Sequence, residues 1–270
     1  MPFTARALLF LSLLAPAAAS ARPPANGPQI EAAPAWQSED GKKKVWRDMA
    51  HWYADNGMPD QALEMVSRLN AEGESTPEIR LIQGIALMRQ GVPDEARKVL
   101  EAVAKELPRD PRPLENLAVL YADGGDVTRA ITTLEKVIDL GDTGAGPANN
   151  LGFLLMGQSR CAEAVPHLEA AMAADPSSAR YRNNLGFALV CAGDPQRALQ
   201  LFRTTGSEAD ARYNMGVAYE RLDKLPSAML QYQAALSAAP THEAALAALA
   251  RLNSPEESSP ETDPSTGVPQ

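Results

Sequence analysis

The sequence predicts an all-α fold made of stacked helical repeats, and three observations indicate it. An alanine recurs within successive amphipathic stretches at a spacing of 34 residues, which shortens to 30 once. A pair of residues, large and then small, precedes each alanine, and an apolar residue follows four positions later. Two antiparallel helices explain the pattern, because small residues let helices approach closely and stacked units supply the core that one unit lacks. The alanines are Ala62, Ala96, Ala130, Ala164, Ala198 and Ala228.

The repeats are expected to fill residues 43–253. Glycines at the predicted turns suit a left-handed helix end; they are Gly57, Gly91, Gly125 and Gly193. Three aspartates suit the start of the next helix; they are Asp94, Asp126 and Asp194. The fifth unit is shortened at Gly206. The predicted units are 43–76, 77–110, 111–144, 145–178, 179–208 and 209–242, with a capping helix at 243–253.

The units resemble the tetratricopeptide repeat, whose pattern is W-x2-L-G-x2-Y, then A-x3-F, then P. The first and last units carry the clearest matches, which are Trp46-x2-Met49-Ala50-x2-Tyr53, Met215-Gly216-x2-Tyr219, Ala228-x3-Tyr232 and Pro240. The resemblance implies an α-solenoid, a right-handed superhelix of about six helix-turn-helix units plus a capping helix. It also implies that the first helices line a concave groove in which a protein or peptide partner binds.

Residues 1–21 are predicted to be a secretory signal peptide. Arg6 precedes an apolar run, Pro16 interrupts it, and an A-x-A cleavage site ends at Ala21. The alternative is a short transmembrane anchor, but the run is too short to span a bilayer comfortably, and no other stretch reaches ~20 apolar residues. We therefore expect an exported protein, periplasmic or extracellular or associated with an outer membrane, without a membrane span after removal of the signal.

Two segments outside the repeats are predicted to lack packed structure. Residues 22–42 are rich in Pro and Ala and are typical of a flexible linker. Residues 254–270 contain acidic residues, no Lys or Arg and almost no apolar residues, so we expect a disordered acidic tail.

The composition argues against several functions. A net charge of −9 disfavours nucleic-acid binding, because phosphate neutralisation needs clustered Lys and Arg. The 2 cysteines and 3 histidines do not form a metal-ligand motif, and no phosphate-binding loop or catalytic motif is present. We therefore expect no cofactor, no metal and no enzymatic activity.

A row of asparagines is the strongest candidate for a binding surface. They recur at one position of the predicted first helices, where an amide could pair with a peptide backbone. A comparable asparagine row lies in the repeat superhelix of O-linked N-acetylglucosamine transferase, where it holds extended peptides. The alternative is that these side chains cap helices or link adjacent first helices. The row is Asn116, Asn150, Asn184 and Asn214, with Asn149 and Asn183 beside two of them.

An apolar row lies three residues further along each of these helices. It would accept alternate side chains of an extended segment beside the amides. The alternative is that the two phenylalanines belong to the core between units. The row is Val119, Phe153, Phe187 and Val217.

The two cysteines could form a disulfide bond. Cys161 is predicted to open the second helix of the fourth unit, and Cys191 lies near the end of the next helix. The start of one helix lies near the end of its antiparallel neighbour, and an exported chain meets an oxidising environment. The alternative is two buried thiols used for packing.

These features together predict an exported, non-catalytic scaffold for protein–protein interactions. The string from Arg203 to Ala228, with its shortened unit, resembles TadD-type proteins of tight-adherence pilus assembly, although many of those are lipidated and this chain lacks the required cysteine. A role in cell-envelope, pilus or secretion-system assembly follows from that resemblance. The alternative is a subunit that recruits substrate to an envelope enzyme.

Overall fold

The computed structural model describes residues 38–141 and 144–253, and every regular element within them is an α helix. The predicted signal peptide and tail lie outside these residues, as does most of the predicted linker. No described helix is both long enough and apolar enough to cross a bilayer. The helices are α1 Glu39–Asp55, α2 Pro59–Ala71, α3 Pro77–Gln90, α4 Pro93–Glu106, α5 Pro111–Asp123, α6 Val127–Asp139, α7 Ala145–Gly157, α8 Cys161–Ala174, α9 Ala179–Cys191, α10 Pro195–Arg203, α11 Glu208–Arg221, α12 Leu225–Ala238 and α13 Glu243–Asn253.

The first helix starts earlier than the repeat pattern indicates. Ser38 caps it, since its side-chain oxygen accepts a hydrogen bond from the Gly41 backbone N–H at 3.0 Å. Glu39 and Asp40 then occupy the first turn, where acidic side chains interact favourably with the helix dipole. The last four residues of the predicted linker are therefore helical.

The described chain divides into two compact units, each larger than one repeat, with the division between Tyr181 and Arg182; we call them the first unit and the second unit. In the first unit, α1 to α8 pack as four successive pairs, and α2, α4 and α6 also contact the first helix of the next pair. In the second unit, α10 packs on α11, α11 on α12, and α12 on α13. The predicted helix-turn-helix order therefore holds within each unit.

Glycines on the first helices allow the close pairing. A methyl group at Gly152 of α7 would lie 2.5 Å from Leu168 Cγ of α8 and 3.2 Å from the Ala164 carbonyl oxygen. At Gly84 of α3 it would lie 2.7 Å from Leu100 Cγ of α4. In the second unit the rings of Phe202 and Tyr232 cover Gly186 and Gly216 in the same way.

The turn within each pair places one residue in the left-handed region. The four predicted glycines have φ between 72° and 89°. Ser159 and Asp223, with φ of 60° and 57°, take the same place in the fourth and sixth pairs. A side chain in this region costs energy that glycine avoids.

Two of the three predicted aspartates cap the start of a helix. Asp126 and Asp194 accept hydrogen bonds from backbone N–H groups of α6 and α10 at 3.0 and 3.1 Å. Asp94 was expected to do the same, but this prediction is wrong. Pro93 begins α4 one residue earlier, since its fixed φ suits the first helical position, and Asp94 lies in the first turn.

Candidate partner-binding surface

The first helices of the pairs lie side by side in the first unit, where α1 contacts α3 and α3 contacts α5. Each first helix has a side that faces neither its own second helix nor a neighbouring first helix. We call these sides together the first-helix surface. Its predicted members in the first unit are Asn116, Val119, Asn149, Asn150 and Phe153; in the second unit they are Asn183, Asn184, Phe187, Asn214 and Val217.

The asparagines of the first unit are largely engaged within the protein. Asn116 is half-buried, and its Nδ2 donates a hydrogen bond to the Arg112 carbonyl on its own helix at 2.8 Å. Asn149 and Asn150 are 2% and 7% exposed, and Asn149 Nδ2 donates to Asn150 Oδ1 at 3.4 Å. Buried amides need such partners. A role in partner binding stays a prediction for these residues, with little amide surface accessible at Asn149 and Asn150.

The asparagines of the second unit are more accessible. Asn183 is exposed, and Asn184 and Asn214 are half-buried. Asn184 takes part in a polar interaction, whereas the Asn214 amide has no hydrogen-bond partner within residues 38–141 and 144–253. Asn214 therefore offers a donor pair and an acceptor to a ligand.

The apolar row divides into two kinds of residue. Phe153 and Phe187 are half-buried, and each follows the glycine that faces its second helix, so each ring lies on an adjacent face. Val119 is 9% exposed, and Val217 packs against a core cluster that includes Tyr232. Packing within the protein core therefore describes Val119 and Val217 better than it describes Phe153 and Phe187.

An arginine joins this surface in the second unit. The Arg221 guanidinium carbon lies 5.9 Å from the centroid of the Phe187 ring, within the range of a cation–π contact. Arg221 follows Asn214 by seven residues, or two helical turns, so both lie on one face of α11. Asn214, Arg221 and Phe187 therefore belong to a single surface.

Two charged side chains stand out in the first unit. Arg89 of α3 and Asp123 of α5 make no hydrogen bond or ion pair with another described residue. Partial burial lowers the pKa of the Arg89 guanidinium, and the Asp55 carboxylate opposes this shift. Asp123 is exposed, yet neighbouring atoms remove enough water from its carboxyl group to raise its pKa. Unpaired, partly desolvated charges of opposite sign can bind complementary charges of a partner.

Both cysteines are disulfide-bonded in the structure. Within the described part of the chain, no group of three or more His, Cys, Asp or Glu side chains is placed to hold a metal ion.

Family models decide the classification. A tetratricopeptide repeat model matches residues 47–111, 81–145 and 149–207, and a second tetratricopeptide repeat model matches residues 209–242. The chain belongs to the tetratricopeptide repeat (TPR) family. Its fold is the TPR solenoid, a scaffold for protein–protein interactions. No curated protein matches the chain.

Solved TPR structures share this fold at low sequence identity. YrrB, described as a TPR protein with an unusual peptide-binding site, is 20% identical over 68% of this chain and 96% of its own, with a TM-score of 0.54. MamA from Desulfovibrio magneticus RS-1 is 23% identical over 60% and 92%, with a TM-score of 0.52. A chain of the APC/C hetero-tetramer Cut9-Hcn1 is 18% identical over 77% of this chain and 42% of its own, with a TM-score of 0.52.

The TPR register reveals what the sequence patterns missed. Asp55, Arg89 and Asp123 are spaced by 34 residues, so they occupy one position of three successive first helices. A search for one residue type at that position does not find them, because the charge alternates. A search for any charged residue at each register position would have found them.

Proposed function

We propose that this TPR protein is an exported scaffold that binds an extended segment of a partner protein on its first-helix surfaces. The observation that carries the proposal is the arrangement in the second unit, where the unpaired Asn214 amide shares a helix face with Arg221, which lies over the half-buried Phe187 ring. An amide can pair with an extended backbone, and an aromatic ring beside it can receive a side chain of the same segment.

The fold of YrrB supports the proposal, because that TPR protein has a peptide-binding site. In the first unit, Arg89 and Asp123 add a preference for a segment that carries both an acidic and a basic residue. The two units thus differ in chemistry, the first being charged and the second amide and aromatic.

We place this scaffold in the cell envelope. Support comes from the signal-like residues 1–21 and from the resemblance of the shortened fifth repeat to TadD-type pilus-assembly proteins. The partner is then a component of an envelope assembly such as a pilus or secretion system, and the protein itself performs no catalysis.

The binding proposal is tested with an array of synthetic peptides. Peptides that bind the purified protein are labelled, and their affinity is measured by fluorescence anisotropy. Asn214→Ala should weaken binding by at least about 1 kcal/mol, or roughly fivefold, because it removes hydrogen bonds to the peptide. The matched control is Gln233→Ala, an exposed amide on the second helix α12. Asn150→Ala is a poorer test, because Asn150 is buried and its loss would also affect folding.

The outcome is decisive in both directions. Loss of affinity in Asn214→Ala alone, with unchanged thermal melting, supports the proposal. Equal affinities for the two variants and the unmodified protein, or an array without any binder, would contradict it.

Export has its own test. A tagged full-length chain should be cleaved after Ala19 or Ala21 when it is produced in a secreting host. Intact-mass measurement of the exported protein gives the new N-terminus. Retention of Met1 in that fraction would refute the export proposal without affecting the binding proposal.

A further inference from the structure

Exposed large apolar side chains concentrate on the last two helices of the described chain. Leu225 and Leu230 on α12 are 39% and 62% exposed, and Leu246 on α13 is 48% exposed. Only Leu140 shares this property elsewhere in the described residues, at 38%. A single exposed leucine is ordinary on a protein surface. Leu246 differs because it lies on the last described helix of the repeat array.

The helix α13 occupies the position of a first helix in a further TPR repeat. Leu249-Ala250 follows Met215-Gly216 by 34 residues, so Ala250 occupies the position of Gly216. In α11, the Tyr232 ring of the second helix covers Gly216. No second helix follows α13 within the described residues, and Ala250 is exposed.

Helical periodicity separates the two sides of α13. Ala245 and Ala248 are buried, and Leu249 and Leu252 pack with Ala248 against the core of α12. The opposite side is exposed, and we call it the terminal face; it consists of Glu243, Leu246, Ala247 and Ala250. Its two alanines would allow another helix to approach closely.

The sequence printed after Asn253 is unlike that of a second TPR helix. This sequence, SPEESSPETDPSTGVPQ, contains four prolines and a single large apolar residue, Val268. Proline in a helix interior removes a hydrogen bond and clashes with the preceding turn. A second helix of a TPR unit also needs an apolar stripe, which this sequence lacks.

We propose that the terminal face binds the terminal face of a second copy of this chain, with the two α13 helices antiparallel about a two-fold axis near Ala247. The charges on α13 favour this occupant. Glu243 lies at the start of the helix and Arg251 near its end, so an antiparallel pair places Glu243 of one copy near Arg251 of the other. The second copy thereby takes the antiparallel position that a second helix holds within each TPR unit.

Arg251 can make this contact without losing its own. Its Nη2 donates to Glu220 Oε1 at 2.6 Å within the same chain, and its side chain remains 60% exposed. A guanidinium carries five N–H donors, so several stay available for a second carboxylate. The contact is expected to be weak, because one 11-residue helix per copy buries less than the about 1,600 Å² of a standard interface.

Sedimentation equilibrium of the full-length chain over a wide concentration range tests the proposal. The unmodified protein should show a reversible monomer–dimer equilibrium. Leu246→Glu should weaken it by at least roughly tenfold, because it places two carboxylates in the centre of the contact. The matched control is Leu140→Glu, which alters a leucine of similar exposure in the first unit and should leave the equilibrium unchanged.

Charge reversal tests the antiparallel arrangement itself. Glu243→Arg should weaken the dimer, and adding Arg251→Glu to that variant should restore it, because the two charges then attract again. Circular dichroism of each variant verifies folding. A monomer at every concentration, equal effects of Leu246→Glu and Leu140→Glu, or no recovery in the folded double variant would overturn the proposal.

Discussion

The close pairing of α7 and α8 predicts a large coupling between Gly152 and Leu168. Gly152→Ala adds a methyl group 2.5 Å from Leu168 Cγ and 3.2 Å from the Ala164 carbonyl oxygen. Leu168 is completely buried and cannot swing into solvent. A glycine-to-alanine change within a helix by itself stabilises by about 1 kcal/mol, whereas overpacking a core costs about 1–3 kcal/mol. The difference between these two energies predicts that Gly152→Ala destabilises by about 0–2 kcal/mol.

A second variant, Leu168→Ala, separates the gain in helix propensity at position 152 from the steric clash with Leu168. Leu168→Ala alone should cost about 2–5 kcal/mol through lost burial and a cavity. In that background the methyl group at position 152 no longer meets the leucine, so Gly152→Ala should be neutral or stabilising. The resulting coupling energy should be about 1–3 kcal/mol. Gly84→Ala should cost less than Gly152→Ala, because the added methyl would meet only side-chain atoms of Leu100.

Urea unfolding followed by circular dichroism measures these energies. Repeat proteins can unfold in parts, so hydrogen exchange of α7 and α8 amides should accompany it. The coupling should appear in both measurements. Additive effects of the two substitutions, within about 0.5 kcal/mol, would refute the argument that the helix pair is held by this contact.

Three other predictions follow from local features. Ser159→Gly and Asp223→Gly should each raise the urea midpoint and stabilise by about 0.5–1 kcal/mol, since glycine relieves the positive φ; an unchanged midpoint would contradict this. Burial lowers the pKa of His167, so the folded state binds its proton less readily than the unfolded state does. Stability should therefore decline as the pH falls below about 6.5, and a pH series of melting temperatures should show a smaller decline for His167→Gln. Cys161 and Cys191 should give no free thiol in the unfolded, non-reduced protein, and reduction should cost about 3–4 kcal/mol of stability; two free thiols would contradict the bond.

The repeat pattern predicts the fold because its signals are local or strictly periodic. Glycine at a turn and glycine or alanine at the helix contact are required wherever a pair forms, as Gly57 and Gly152 illustrate. Ser159 and Asp223 carry no such signal, yet they adopt the turn conformation, because the surrounding helices determine it. The start of α4 was misplaced for a related reason, since Pro93 defines the first helical position more strongly than Asp94.

The binding surface is less predictable from the sequence. The recurrence of asparagine at one register position does not reveal exposure, which depends on how neighbouring helices pack. Asn150 is buried and Asn214 is accessible at the same repeat position. The recurrence of charge at Asp55, Arg89 and Asp123 is present in the sequence, but the contacts of each side chain are needed to learn that Arg89 and Asp123 are unpaired.

The central claim, that partners bind the first-helix surface, is tested most directly by site-specific photo-crosslinking in the native envelope. A photoreactive phenylalanine analogue replaces Phe187 in one variant and Leu230, an exposed residue of the second helix α12, in another. The account predicts a discrete crosslinked partner from position 187 and none from position 230, and Asn214→Ala should reduce the first product. Crosslinking from position 230 alone, or from both positions equally, would contradict the account.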